Sequence, residues 1–392
     1  MRQLHAGDVV AVTLPPGERW REVVAEAWEA EAALLPVDHR LPAPARRALL
    51  ARARPTVAAG PGGWTRERGG TPADPSVALV IATSGSTRRP RLVQLSRDAV
   101  TSAVRASLTA LGAGPGDGWV SCLPLAHVGG LLVVLRGLLG EVPVRFCPPD
   151  DIAPEPGLPF ISVVPTQLVR ALDAGIDLSG YRAMLVGGSG LPPGVRERAA
   201  AAGAPAIETY GQTESCGGVV YAGVPLPGVA VRISQGGEIE LGGPTLMSGH
   251  RDAAASRDAA GEPLTLDGWL RTGDAGWIDA AGHLHVRGRI DQVIVTGGEK
   301  VWPGDVEAVL RTHPDVADCA VFARPDREWG ERVVAAVVAR DPAAPPALEA
   351  LRDHVGDALG RHRAPRELVL VPRLPRTALG KLRRSALAGL GD

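Results

Sequence analysis

Through the first two thirds of the chain, short β-branched runs alternate with longer segments rich in Ala, Leu and Arg. Residues 77–81 precede 96–111, 160–164 precede 166–172, 183–186 precede 193–202, and 206–209 close the series. The short runs have the length of buried strands and the longer ones that of helices, so the alternation predicts an α/β core with largely parallel strands. Residues 128–139 are apolar on every side apart from Arg136 and predict a buried helix. From Val229 the texture changes to brief runs separated by Gly or Asp-Gly turns, at 229–233, 238–241, 269–271, 276–278 and 283–286. That rhythm predicts a meandering β-subdomain. After Gly288 it changes again, with helices over 303–312 and 348–359 and strands over 317–323, 332–339 and 367–371. The chain therefore divides into a large unit, residues 1–288, and a small α+β unit, residues 289–392. The Pro- and Ala-rich residues 341–346 read as a surface loop.

Composition narrows the function classes. The 392 residues can bury a large core, and a formal net charge of −1 gives no global field for nucleic acid or an anionic membrane. A small-molecule enzyme is the expectation. The four cysteines, Cys122, Cys147, Cys216 and Cys319, have no paired spacing, which suggests neither a disulfide framework nor a zinc site. Residues 1–8 have no apolar core, and the longest apolar stretch is too short to span a bilayer, so a cytoplasmic location is expected. Oligomeric state is left open, a homo-oligomer being one option.

Several short stretches carry chemistry. Thr83, Ser84, Gly85, Ser86 and Thr87 group hydroxyls around a glycine directly after a strand, and backbone N–H groups in such a turn make a nest for polyphosphate. Taken alone, a turn of this kind is usually an ordinary surface loop. Tyr210, Gly211, Gln212, Thr213 and Glu214 offer an aromatic plane, a close backbone approach, a hydroxyl and a carboxylate suited to Mg²⁺ shared with phosphate oxygens. Asp274, in the run from Trp269 through Arg271, Thr272 and Gly273, is an acceptor suited to a vicinal diol, although an Asp in a turn is more often structural. Gly297 and Gly298 read as a β-turn that would also let a thin ligand pass close to the backbone. Arg136 is the sole charge in its apolar helix, and a buried guanidinium needs an anion. That anion could be a ligand or a protein acid, unless the side chain reaches the surface.

In this order and at these separations, the hydroxyl-rich loop, residues 210–214 and the stretch from Pro375 to Lys381 resemble the AMP-forming adenylating superfamily, which includes the acyl-CoA synthetases. The resemblance implies activation of a carboxylic acid by Mg-ATP and transfer of the acyl group to a thiol such as CoA. It implies that residues 83–87 with Arg91 bind the polyphosphate, Tyr210 and Gly211 meet adenine, Gly188 in the Gly187–Gly190 cluster lines the adenine and acyl side, Thr213 contacts the α-phosphate and Glu214 holds Mg²⁺. Asp274 takes the ribose hydroxyls, with Arg289 beside them. Asp291 is the hinge of a mobile C-terminal domain, Gly297 and Gly298 line a pantetheine tunnel, His127 gates the acyl pocket, and Lys381 is the catalytic lysine. One departure stands out. Where the superfamily has Gly, any residue, Pro, Lys and Gly, this chain has Arg88, Arg89, Pro90, Arg91 and Leu92. Arg91 keeps the charge but is forked and bulkier than lysine, which puts pyrophosphate handling in question.

Only about eighty residues precede the phosphate loop. That short N-terminus, with residues 123–130, 163–168 and 210–218, resembles the short actinobacterial form of the o-succinylbenzoate–CoA ligases of menaquinone biosynthesis. In that family a basic residue nine positions after the histidine contacts the substrate's aromatic carboxylate, and Arg136 holds that place relative to His127. Two alternatives remain at this level: another aryl- or acyl-CoA ligase, or an adenylating enzyme that loads a carrier protein. From a different class comes a catalytically silent nucleotide-binding homologue, motivated by the altered loop and opposed by the retention of Glu214, Asp274 and Lys381.

Overall fold

The structure, a computed structural model, describes residues 4–60, 62–83, 91–192, 194–251, 264–376 and 382–390. Two seven-stranded sheets form its larger part. In the first, Val9–Val12, Ala33–Pro36, Val57–Gly60 and Val77–Thr83 are mutually parallel, while Arg91–Ser96, Gly249–His250 and Gly63–Arg66 add antiparallel edges. In the second, Val144–Phe146, Trp119–Ser121, Phe160–Val163, Ala183–Val186 and Ala206–Gln212 are parallel, and Gly217–Tyr221 and Val224–Pro225 return antiparallel. The parallel core matches the alternation in the sequence, and its mixed flanks come from hairpins that the alternation could not reveal.

Between the sheets runs the helix Val128–Gly140. Leu131, Leu132, Val134 and Leu135 pack with Val10, Trp20 and Leu79 of the first sheet's core, whereas Val133 packs with Trp119, Phe160 and Leu185 of the second. A helix pressed on both sides cannot carry a polar face, which is why its sequence is apolar all round. Alongside it lies Arg97–Leu111, whose predicted first residue, Ser96, is the N-cap and accepts a hydrogen bond from the Ala99 N–H at 3.1 Å.

A four-stranded antiparallel sheet follows, ordered Ala230–Ile233, Glu238–Gly242, Leu270–Ile278 and Leu284–Arg289. Here the two strands expected at 269–271 and 276–278 are one strand, Leu270–Ile278, broken by a register shift between Ala275 and Gly276. Asp274 therefore sits in a strand irregularity, not in a turn between strands. The short helical turn Ile290–Gln292 then leads to the C-terminal sheet, ordered Glu299–Val301, Ile294–Thr296, Gly330–Ala339 and Val316–Asp326, with Glu367–Leu370 parallel to Gly330–Ala339. Pro303–Leu310 and Leu348–Leu359 cover it through Val306, Leu310, Leu351 and Val355. The four cysteines are free. Cys122 and Cys147, distant in sequence, directly follow adjacent parallel strands, with the Cys147 N–H donating to the Ser121 carbonyl at 3.1 Å. Among the described residues no helix is long and apolar enough to cross a membrane.

Candidate nucleotide and acyl site

The strand Ala206–Gln212 extends through Tyr210 and Gly211, three residues beyond the run the sequence suggested. It ends in the helical turn Thr213–Ser215, so Thr213 and Glu214 leave the sheet at the carboxyl end of its parallel strands. Gly211 has φ +155°, and a Cβ there would lie 2.0 Å from the Gly217 carbonyl oxygen on the neighbouring strand. Only glycine permits this approach. Gly211→Ala is expected to destabilise the fold by about 2 kcal/mol or more through backbone displacement and to weaken nucleotide binding with it. Thermal denaturation with and without ATP checks this, and an unchanged melting temperature would contradict it.

Around that strand end, three separated stretches converge. The Tyr210 hydroxyl donates to Asp274 Oδ2 at 3.0 Å, and Arg289 Nη1 lies 3.6 Å from Asp274 Oδ1. Arg289 is held in turn, donating from Nη1 to the Thr272 carbonyl at 2.8 Å and from Nε to Asp291 Oδ1 at 3.3 Å. Burial, and then the neighbouring Asp274 carboxylate, push the Tyr210 phenol well above its ordinary pKa, so it remains a protonated donor. Glu214 is also raised, by burial, with the charges of Arg91 and Arg289 drawing it partly back. A buried carboxylate at a strand end is suited to a divalent cation shared with an anionic ligand. Among the described residues there is no group of three or more His, Cys, Asp or Glu that could hold a metal ion.

Thr83 and Arg91 are paired residues at the ends of antiparallel strands, with the Thr83 hydroxyl 3.5 Å from the Arg91 carbonyl. They flank the candidate phosphate-binding residues Ser84, Gly85, Ser86 and Thr87, which lie outside the described residues. Gly187 and Gly188 follow the strand Ala183–Val186. A Cβ on Gly187 would meet Thr209 Oγ1 at 2.5 Å, and Gly188, at φ +87°, lies against Val164. Gly297 and Gly298 form the tight turn of a hairpin at φ +58° and +84°, beside Trp329. They belong to the C-terminal sheet, whereas Tyr210 lies on a strand of the second seven-stranded sheet. Lys381 lies outside the described residues, but both its flanks are tied down: Arg376 and Leu382 form an antiparallel bridge, and Arg384 donates to the Val321 carbonyl and to Glu307 Oε1, each at 2.9 Å.

His127 is the N-cap residue of Val128–Gly140, and the preceding strand stops at Ser121. Arg136, nine residues further along the helix's buried length, is 4% exposed. Its Nε donates to Ser107 Oγ at 3.1 Å, Ser107 pairs with the Tyr221 hydroxyl at 2.8 Å, and the guanidinium lies 4.4 Å from the Trp119 ring centroid. Among the described residues it has no carboxylate partner. The aromatic and hydroxyl neighbours were invisible in sequence because each comes from a different element. A separate cavity of about 430 Å³, lined by Leu14, Trp20, Arg40, Cys122 and Phe146 among others, contains none of the candidate residues.

This arrangement of parallel sheets, converging motifs and appended α+β unit defines an AMP-binding enzyme. The AMP-binding enzyme family matches residues 62–250 and the AMP-binding enzyme C-terminal domain matches residues 305–381. A Mycobacterium tuberculosis protein named "Probable 2-succinylbenzoate–CoA ligase" is 42% identical over 336 residues, covering 82% of this chain and 86% of that protein. Among solved structures, the Bacillus subtilis o-succinylbenzoate CoA synthetase in complex with the acyl-adenylate intermediate OSB-AMP has a TM-score of 0.84 at 24% identity, covering 99% of this chain and 90% of that one. The same Bacillus subtilis enzyme in complex with ATP and magnesium ion has a TM-score of 0.83 at 24% identity, with the same coverage. At that identity the structural likeness establishes the fold. The sequence relationship goes further: the chain belongs to the 2-succinylbenzoate–CoA ligase family of AMP-forming acid–thiol ligases.

Proposed function

We propose that the protein converts 2-succinylbenzoate, ATP and CoA into the 2-succinylbenzoyl thioester, AMP and pyrophosphate, in menaquinone biosynthesis. The observation that carries the choice of acid is Arg136, a guanidinium 4% exposed and without a carboxylate partner among the described residues. An acid with a second, unreacted carboxylate supplies the anion such a group needs. In this reading the succinyl carboxylate attacks the α-phosphate while Lys381 stabilises the charge that builds there. Tyr210 and Gly211 receive adenine, Gly188 lines the adenine and acyl side, Asp274 and Arg289 hold the ribose, Thr213 meets the α-phosphate, and Thr83 to Thr87 with Arg91 receive the polyphosphate. Glu214 fits Mg²⁺, which would neutralise phosphate charge. His127 gates the acyl pocket, and CoA reaches the adenylate past Gly297 and Gly298. The free cysteines fit a reducing cytoplasm. The test is mass detection of the acyl-adenylate with ATP and 2-succinylbenzoate alone, and of the thioester after CoA is added; an adenylate without thioester would favour a carrier-protein acceptor.

The same reading takes residues 1–288 and 289–392 as two domains that pivot at Asp291. Asp291 lies in the turn Ile290–Gln292 between two sheets, paired with Arg289. Asp291→Pro fixes φ at this point and is expected to damage one half-reaction far more than the other, whereas Asp291→Ala, which removes only the ion pair, should spare that imbalance. Equal loss of both half-reactions in the proline variant would count against the hinge.

A further inference from the structure

We propose that Glu238 is a positioning residue for recognition of the nucleotide ribose, acting through Asp274; the inference rests on the reading of Asp274 as the ribose acceptor. Glu238 is 8% exposed and opens the strand Glu238–Gly242 beside the strand that carries Asp274. Between these strands the register slips from Glu240 opposite Arg271 to Glu238 opposite Ala275, which leaves the Gly273 peptide out of the regular ladder. A buried backbone N–H without a partner is costly. Glu238 Oε1 accepts that N–H at 2.9 Å, while Oε2 accepts Arg271 Nε at 3.1 Å and Nη2 at 3.0 Å. One carboxylate thus replaces a missing ladder bond and is itself neutralised.

The consequence falls on the next residue. Gly273 has φ +73°, and a Cβ on it would stand 2.8 Å from Arg289 Nη2, so the peptide passes under the guanidinium that faces Asp274. The Asp274 N–H is fixed by Thr272 Oγ1 at 3.1 Å, and Thr272 Oγ1 donates to the Ile239 carbonyl at 2.7 Å. Glu238 and Ile239 therefore hold Gly273 and Thr272, and these set the direction in which the Asp274 carboxylate leaves the strand. A carboxylate that must accept from a diol needs that direction fixed, because charge-assisted hydrogen bonds weaken steeply with angle. Glu238 touches no nucleotide in this account. Its effect is on the backbone that aims Asp274.

The readout is the ratio of kcat/KM for ATP to that for 2′-deoxy-ATP, measured beside the melting temperature. The native enzyme is expected to prefer ATP on the order of tenfold, the worth of one hydrogen bond to a charged acceptor. Glu238→Ala should bring the ratio close to one mainly by raising KM for ATP, and Glu238→Gln, which keeps an acceptor for Gly273 but loses the Arg271 pair, should fall between. Arg271→Met gives a second route to the same loosening should the alanine variant fail to fold. Asp274→Ala separates the two layers: if it leaves the ratio at its native value, the ribose reading itself is wrong. If Asp274→Ala collapses the ratio while the folded Glu238 variants keep the native preference at lower stability, Glu238 is a structural residue only and the inference is overturned.

Discussion

Lys381→Ala is expected to cut adenylation about a hundredfold or more, the usual cost of removing a charge that stabilises a transition state, while thioesterification of supplied acyl-adenylate stays largely intact. The physical basis is that pentavalent phosphorus gathers negative charge where the acid attacks, and a cation placed there acts only while that charge exists. The described residues on either side of Lys381 contact the C-terminal sheet and its covering helix. Arg376 is fixed to Asp318 at 2.6 Å, Arg384 reaches the buried Glu307 at 2.9 Å, and Leu387 is fully buried against the C-terminal sheet. Stopped-flow measurement of pyrophosphate release, set against CoA consumption from pre-formed adenylate, checks the split. Equal losses in the two half-reactions would remove the assigned role of the lysine and the reason for domain alternation.

Arg136→Ala is expected to cost roughly 2 to 5 kcal/mol in productive binding of 2-succinylbenzoate, because the ligand's spectator carboxylate would be buried unpaired. The side chain also fills space beside Trp119, so Arg136→Met, which keeps most of the volume, separates charge from packing. Lysine should rescue only in part, since a point ammonium cannot reproduce the fork that donates to Ser107 and still faces a carboxylate. An analogue lacking the aromatic carboxylate should be a poor substrate for the native enzyme and lose little more with the Met variant, because both deletions remove one interaction. Catalytic efficiency across this enzyme-and-substrate cycle is the measurement. Additive losses would mean that Arg136 supports the fold alone.

How much of this was legible in the chain depended on whether the determining forces were local. Arg97–Leu111 was readable because its N-cap serine and its C-cap Gly112, at φ +58°, are written beside it, and Leu348–Leu359 kept its expected bounds. The helix Val128–Gly140 was readable because burial on two sides leaves an unmistakable apolar run. The first seventy-six residues yielded no elements, although they contain the strands Val9–Val12, Ala33–Pro36, Val57–Gly60 and Gly63–Arg66 and two helices. Those strands are four residues long, and the helix Ala43–Ala53 has little amphipathic character, so tertiary packing decides them. In the site, Tyr210, Glu214, Asp274 and Arg289 were nameable from motifs. Glu238, Thr272, Ser107 and Tyr221 were not, because their roles arise from a register slip and from contacts between elements far apart in sequence.

Arg136 leads us to expect selection of 2-succinylbenzoate over other acids. The most direct measurement follows AMP formation with ATP, Mg²⁺ and CoA across a panel of acids: 2-succinylbenzoate, its analogue without the aromatic carboxylate, benzoate, malonate and medium-chain fatty acids. The account predicts that 2-succinylbenzoate exceeds every other acid by at least about a hundredfold in kcat/KM, in line with the loss of a buried charge pair. Comparable turnover of benzoate or of the analogue lacking the aromatic carboxylate would contradict it.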